Sequence, residues 1–205
     1  MNNSNLYHVG KEYAEMDQHD KAYRYYLEAI ISEDDGEAYY ALSEMYYFGE
    51  YVNEDYDKAG RYVGMAYDRG IIHHSWTLII AGNVHERDYH MNKRKEDLEK
   101  AIRYYSGAAE TGTDHGYTCL GYLYLQIGEY SKALTGLKKG DGNDSLWHYA
   151  MARLYDEGLG IRKNRNKAIE QYKQTIELWK PYEEEYGRDM YAMKAAARLR
   201  ELGIM

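Results

Sequence analysis

Histidine is the side chain best suited to chemistry near neutral pH, and two pairs among the eight histidines lie close together in the sequence. His73 and His74 are adjacent, whereas His85 and His90 are five residues apart. A zinc site on a helix requires ligands at positions i and i+4 together with a third convergent group. Neither spacing meets that requirement. The sequence therefore predicts solvated loop histidines, no metal site and no cofactor.

The single cysteine, Cys119, precedes Leu120 in a segment that has the pattern of a packed helix. A catalytic thiol requires an activating base and an exposed, electropositive site. His115 lies one helical turn earlier, which allows a contact between the two side chains. A buried structural cysteine is nevertheless the favoured interpretation. Because the sequence also has no phosphate-binding glycine loop, serine-nucleophile elbow or zinc-protease motif, it predicts that the protein is not an enzyme.

Three polar segments have alternative interpretations. Asp141–Ser145 has some features of a calcium loop, but the closing glutamate is missing, so Asp144 or Ser145 is better explained as a helix N-cap. Two basic clusters, Lys93–Lys95 and Arg162–Lys167, are expected in loops between helices. Solvated loops are the favoured interpretation of both clusters, and docking of an acidic partner or anionic lipid is the alternative.

Composition excludes several classes of protein. The 205 residues carry a formal net charge of -8, which disfavours binding to phosphate backbones. One cysteine excludes a disulfide framework, and no apolar run reaches the length of a membrane span. The first four residues show no signal peptide, so the expected location is cytoplasmic. The 26 tyrosines supply much of the apolar surface, since tyrosine buries its ring while its hydroxyl stays near water or a partner.

An internal repeat positions all of these residues. A Lys-Ala dyad recurs five times, and its alanines are separated by 37, 42, 32 and 35 residues. Apolar residues follow each dyad at the spacing of one helix face, so each dyad is expected to open a helix that a glycine ends. The proposed stops are Gly36, Gly70, Gly112 and Gly142. The dyads are Lys21–Ala22, Lys58–Ala59, Lys100–Ala101, Lys132–Ala133 and Lys167–Ala168.

A second helical pattern precedes each dyad. It consists of a large apolar anchor, a small residue and then an aromatic ring, with Val84 replacing the ring in the third copy. The separation from anchor to dyad alanine is 13, 17, 21, 13 and 17 residues, which predicts tight turns in two units, longer loops in two, and two extra helical turns or a long loop in the third. The anchor segments are Val9–Tyr13, Leu42–Tyr46, Ile80–Val84, Leu120–Tyr124 and Met151–Tyr155.

Two of these units resemble the Sel1-like repeat, on Met151–Ala168 and Leu42–Ala59. The first and fourth units, which have the short spacing, are more similar to tetratricopeptide repeats. The resemblance implies an all-α fold, a right-handed α-α superhelix (solenoid) of about five helix-turn-helix repeats in a single domain over 1–205. The expected repeats are 5–35, 36–70, 71–112, 113–142 and 143–180. Pro181 is expected to interrupt the chain before a capping helix at about 187–203, with another turn of helix at Tyr182–Tyr186.

The resemblance further implies that the first helix of each repeat lines a concave groove that binds a peptide or partner domain. Helix geometry assigns side chains to that groove from their offset to each anchor. The residues assigned in this way form a stripe rich in tyrosine. Tyrosine is a common contact residue in interfaces, although its overuse throughout this chain is an alternative explanation of the stripe. The proposed partner-binding residues are Tyr7, Lys11, Tyr40, Glu44, Tyr47, Phe48, His85, Tyr122, Leu125, Tyr149, Arg153 and Asp156.

A non-catalytic scaffold or adaptor for protein or peptide partners is therefore the favoured function, by analogy from the fold. A specific inhibitor, such as an immunity-type protein that masks one partner, is the alternative. A hydrolase is disfavoured because the family members linked to β-lactam binding carry a disulfide in each repeat. The expected partners exclude nucleic acid and any membrane span, and self-association through an open aromatic groove is an alternative.

Overall fold

The structure, a computed structural model, describes residues 5–180 and 189–204. These residues form eleven helices and no strand, so the predicted all-α helical-repeat class is confirmed. In chain order the helices are α1 (Leu6–Glu15), α2 (His19–Glu33), α3 (Gly36–Phe48), α4 (Tyr56–Asp68), α5 (Thr77–Asn92), α6 (Lys95–Glu110), α7 (Asp114–Gln126), α8 (Tyr130–Leu137), α9 (Ser145–Glu157), α10 (Arg165–Trp179) and α11 (Met190–Glu201).

The chain divides into two compact units, Met1–Gly107 and Ala108–Met205. Unit 1 contains the pairs α1/α2 and α3/α4 and most of α5/α6, and unit 2 contains α7/α8, α9/α10 and α11. The single-domain organisation stays a prediction. The proline at 181 and the expected turn at 182–186 lie outside the described residues, whereas the expected capping helix corresponds to α11.

The two helices of each pair pack against each other through small side chains. The alanines of all five Lys-Ala dyads are buried, and so are the small residues that follow the five anchors. At Gly121 of α7, an added Cβ would lie 3.0 Å from the Leu137 amide nitrogen and 3.1 Å from the Ala133 carbonyl oxygen of α8. The backbones of these two helices therefore approach each other more closely than any larger side chain would allow.

In four of the five repeats, the lysine of the dyad packs over the aromatic ring of its own anchor segment. In α2 the Lys21 ammonium lies 5.1 Å from the Tyr13 ring centre, and in α4 Lys58 lies 4.8 Å from the ring centre of Tyr46. The fourth and fifth repeats have the same contact at 5.5 and 5.3 Å. In the third repeat, where Val84 replaces the ring, Lys100 instead pairs with Glu96 at 2.8 Å. The contact is a cation–π interaction that joins the two helices of a pair.

Polar caps and left-handed residues determine where the helices begin and end. Asp35, Asp55, Asp144 and Asn164 each accept a hydrogen bond from the backbone amide three residues later. The N-cap predicted at Asp144 is thus confirmed, with the Trp147 amide as donor at 2.6 Å. Such caps satisfy backbone amides that the helix itself leaves without partners.

The glycine stop expected at Gly36 was wrong. Asp34 ends α2 in the left-handed conformation, with φ of 52°, and Gly36 is the first residue of α3. An added Cβ at Gly36 would lie 2.7 Å from Ile71. The close contact with Ile71, in the loop between α4 and α5, therefore explains why residue 36 is a glycine. Sequence patterns alone do not separate this role from that of a helix stop.

The third repeat adopts one of the two predicted arrangements. Helix α5 runs for 16 residues, and only Lys93 and Arg94 separate it from α6. Extra helical turns rather than a long loop therefore account for its spacing. The two repeats with intermediate spacing have seven-residue loops instead, with left-handed glycines at Gly49 and Gly158.

The close approach of α7 and α8 generates a stability prediction. Gly121→Val should lower the free energy of unfolding by about 2–3 kcal/mol, because its side chain would overlap the α8 backbone. Valine and glycine differ little in helix propensity, so this steric effect dominates. Thermal unfolding followed by circular dichroism measures the change, with the exposed Ser131→Ala on α8 as the matched control. A melting temperature of Gly121→Val equal to that of the control would contradict the packing account.

Candidate partner-binding site

A surface pocket in unit 1 lies among helices α3, α4 and α5. Its floor is apolar, since Ala59 and Val63 of α4 and Ile80 of α5 line it. Its rim carries aromatic rings from α3 and from the residue that precedes α5. The lining residues are Ser43, Glu44, Tyr47, Phe48, Ala59, Val63, Trp76, Thr77 and Ile80. We call this site the aromatic pocket.

Tyr47 is the centre of the aromatic rim. Its ring centre lies 5.0 Å from that of Phe48, 5.3 Å from that of Trp76 and 5.5 Å from that of Tyr56, each in an edge-to-face arrangement. Phe48 is 56% exposed and Trp76 is 40% exposed. Rings that pack edge to face hold one another in place, so the rim presents a preformed apolar surface to solvent.

Glu44 is the only charged side chain among the described residues that line the aromatic pocket. Burial raises the pKa of Glu44 above its usual range, while His74 and the Tyr40 hydroxyl oppose that rise. Tyr40 itself is buried, and its hydroxyl lies near Glu44 and Thr77 without a hydrogen bond of normal geometry to any described residue. The aromatic pocket therefore combines apolar walls with one partly desolvated carboxyl group.

Three of the predicted partner-binding residues, Glu44, Tyr47 and Phe48, line this pocket. Sequence reasoning missed two rings, Trp76, which lines the pocket, and Tyr56, which packs on Tyr47 beside it. Trp76 precedes α5, and Tyr56 opens α4, a second helix that the offset rule does not consider. No sequence signal marks either ring, because single partly exposed aromatic side chains are common on protein surfaces.

The other predicted residues of unit 1 lie elsewhere. Tyr7 is half-buried and stacks on Tyr26 at 5.9 Å, and Lys11 is exposed on α1. Tyr40 and His85 are buried. The expectation that His85 lies in a solvated loop was wrong, because α5 runs through this position and Asp97 and Tyr104 of α6 pack against the imidazole. His90 is also on α5, whereas His73 and His74 lie in the loop after α4, where His73 pairs with Glu37 at 2.6 Å.

In unit 2, helix α11 covers much of the predicted stripe. The Tyr191 ring of α11 lies 5.4 Å from that of Tyr122 and 5.5 Å from that of Tyr149. Arg198 of α11 forms a 2.7 Å ion pair with buried Asp156. The offset rule treats these positions as solvent-facing, but a terminal helix needs a surface on which to pack.

The two remaining predicted residues of unit 2 differ in exposure. Leu125 is buried, and Arg153 is half-buried and pairs with Glu157 at 2.9 Å. The described part of unit 2 therefore keeps most of its predicted stripe inside the folded chain.

His85 belongs to a buried cluster with Asp88 and Asp97, in which one ligand-type atom from each residue lies within 4.8 Å of the others. Arg61 holds Asp88 at 2.7 Å, and Arg94 holds Asp97 at the same distance. Burial lowers the pKa of His85, so its imidazole is neutral at pH 7. Because both carboxylates already have guanidinium partners, the cluster is satisfied without an ion.

A second polar cluster contains Cys119, as the helical spacing allowed. The His115 Nδ1 atom lies 3.0 Å from the Asp144 carboxylate, and His115 also hydrogen-bonds Cys119. These are the residue types of a thiol hydrolase. The Cys119 side chain is buried, however, so a substrate would not reach its sulfur.

The basic clusters are less confined to loops than expected. Lys93 and Arg94 form the short α5–α6 connection, but Lys95 is the first residue of α6. Arg162 and Lys163 are in the α9–α10 loop, whereas Arg165 and Lys167 lie on α10. Arg94 is committed to Asp97, and Lys167 packs over Tyr155. These partners reduce the number of free charges available to an acidic ligand.

Paired helices joined by short loops, with a terminal helix packed on the last pair, define an all-α helical-repeat protein. The chain belongs to the Sel1 repeat family, whose model matches residues 6–32, 36–71, 92–112 and 148–178, more than half of its length. The first repeat, expected to be closer to tetratricopeptide repeats, is thus among the Sel1 matches. No helix among the described residues has the length and apolar character needed to cross a bilayer.

One of the solved structures that are similar to this chain shows the same fold. A Sel1 repeat protein from Oxalobacter formigenes is 18% identical, with a TM-score of 0.55 over 95% of this chain and 82% of that chain. A protective antigen of uropathogenic Escherichia coli strains with an SLR fold is 15% identical, with a TM-score of 0.39 over 96% of this chain and 56% of the antigen. No curated protein matches the chain at a significant level.

The His115 cluster generates a pH prediction. The hydrogen bond to Asp144, followed by that to Cys119, raises the pKa of His115 to about 10. This histidine therefore contributes stability below about pH 6.5, its unfolded pKa, and the contribution is lost as pH rises through about 10. The His115 side chain is 43% exposed, so solvent screening reduces the effect.

Asp144→Asn should lower the pKa of His115, because the carboxylate is its principal partner while asparagine still caps α9. NMR titration of the imidazole signals measures this pKa. Glu129→Gln, on the exposed start of α8, is the control. An unchanged His115 pKa in Asp144→Asn would show that this ion pair does not determine its protonation.

Proposed function

We propose that this protein is a non-catalytic scaffold or adaptor that binds a peptide or partner domain over the aromatic pocket. The observation that carries the proposal is the exposed rim formed by Phe48, Tyr56 and Trp76 around Tyr47. Contiguous exposed aromatic surface is typical of interaction sites. Membership of the Sel1 repeat family supports the same conclusion, since its members typically serve in protein–protein interaction.

The geometry favours a groove confined to α3, α4 and α5. In unit 2, Tyr191 already covers Tyr122 and Tyr149, and a partner would have to displace α11 to reach them. In the described part of unit 1, no helix covers Phe48, Tyr56 and Trp76, which are all exposed. The proposed site therefore retains Glu44, Tyr47 and Phe48 of the predicted stripe and adds Trp76 and Tyr56. Cytoplasmic location remains a prediction.

The proposal predicts that Phe48→Ala combined with Trp76→Ala reduces partner capture at least about tenfold, because aromatic anchors supply much of the binding energy of an interface. The measurement is an affinity pull-down from native lysate with wild type and variant in parallel. Ile31→Ala is the matched control, because Ile31 is an isolated apolar side chain on α2 that is 84% exposed.

Circular dichroism verifies that both variants keep their helices. Equal capture of the same partner by wild type, double variant and control would contradict the proposed site. Loss with the double variant alone would support it.

A further inference from the structure

The aromatic pocket has a charge imbalance that restricts its ligand. Burial raises the pKa of the Glu44 carboxyl, and the charge of Glu50 adds to this rise. The positive groups that act on Glu44 are the ionisable imidazoles of His73 and His74, with no lysine or arginine among the interactions of this carboxyl in the described chain. Ionised Glu44 is therefore partly desolvated without a permanent cation beside it, an arrangement that costs free energy until a positive group arrives.

The rim is suited to the same positive group. Tyr47 and Trp76 have ring centres 5.3 Å apart and ring planes inclined at 62°, and Phe48 stands nearly perpendicular to Tyr47, at 88°. Phe48 and Trp76 also expose part of their rings to solvent, and an exposed aromatic face attracts a cation. The apolar floor formed by Ala59, Val63 and Ile80 can accept the methylene groups of a long side chain.

Neighbouring groups favour a cation over an anion. Glu37 and Glu50 are acidic residues close enough to influence the titration of Tyr40 or Glu44, and the chain carries a net charge of -8. A neutral apolar side chain in the pocket would bury Glu44 further without a partner. A basic side chain would instead pair with its carboxylate.

We propose that the aromatic pocket binds a lysine or arginine side chain of a partner peptide across its rim, with Glu44 pairing its charge and the exposed rings of Phe48 and Trp76 beside it. This inference rests on the proposed function and names the chemistry of its ligand. The occupant is a basic peptide segment, because charge complementarity distinguishes it from an acidic or purely apolar one.

The test is selection of a displayed random 12-residue peptide library on the full chain. Selected peptides should share a lysine or arginine, and replacing that residue by norleucine should weaken binding to wild type about tenfold. Glu44→Gln should weaken binding of the basic peptide by a similar factor, because glutamine keeps the shape of the side chain and removes its charge. Glu12→Gln, which makes the same charge change on the exposed face of α1, is the control and should bind as wild type does.

A double-mutant cycle separates the outcomes. If Glu44 pairs the basic residue, Glu44→Gln should weaken binding of the basic peptide without weakening binding of the norleucine peptide. Peptides that lose affinity with Trp76→Ala but not with Glu44→Gln would overturn the cation proposal and leave the pocket as the binding site. Peptides insensitive to both variants, or no enriched peptides at all, would contradict the proposed function as well.

Sedimentation of wild type and Trp76→Ala at two concentrations tests whether a second copy of this chain occupies the pocket. A dimer that dissociates with the Trp76→Ala substitution would assign the pocket to a second copy of this chain and overturn the peptide proposal. A monomer in both cases is the expected result.

Discussion

The close approach of the two helices in each repeat is the constraint on which the rest of the structure depends. It requires alanine in the Lys-Ala dyad and a small residue after each anchor, since a larger side chain would separate the two backbones. The lysine of the dyad then lies over the anchor ring of its own repeat, as Lys58 does over Tyr46. One local pattern therefore specifies which helices pair and in what register.

The abundance of tyrosine follows from the same packing. A helix pair is thin, so a tyrosine that buries its ring brings its hydroxyl to the edge of the pair, where the hydroxyl needs a hydrogen-bond partner. The Tyr105 ring, for example, is buried. Its hydroxyl is a donor to Asn83 Oδ1 at 2.7 Å and to Glu86 Oε2 at 2.6 Å. Where no such partner layer covers the rings, as around Tyr47 in the described part of unit 1, the composition that builds the core also forms a recognition surface.

Much of the fold was predictable because a repeated local sequence pattern specifies it. Burial of the dyad alanines, the Asp144 cap and the class of fold all follow from side-chain size, hydrogen bonding and periodicity. The functional stripe was less predictable, because a fixed offset from the anchor does not reveal what packs against that position. Asp156 is buried because Arg198, 42 residues later in the sequence, pairs with it, and His85 is buried because Asp97 and Tyr104 of α6 pack against it. Long-range partners of this kind leave no periodic signal.

The central claim is that unit 1 recognises partners through the aromatic pocket, and the three tryptophans of the chain provide a direct measurement. Trp76 belongs to the pocket, whereas Trp147 donates its indole N–H to the Leu137 carbonyl in unit 2 and Trp179 ends α10. Indole N–H signals in a two-dimensional NMR spectrum report on each residue separately during titration with a bound peptide. The account predicts that the Trp76 signal shifts while those of Trp147 and Trp179 stay in place. Shifts of Trp147 or Trp179 with an unchanged Trp76 signal would contradict it.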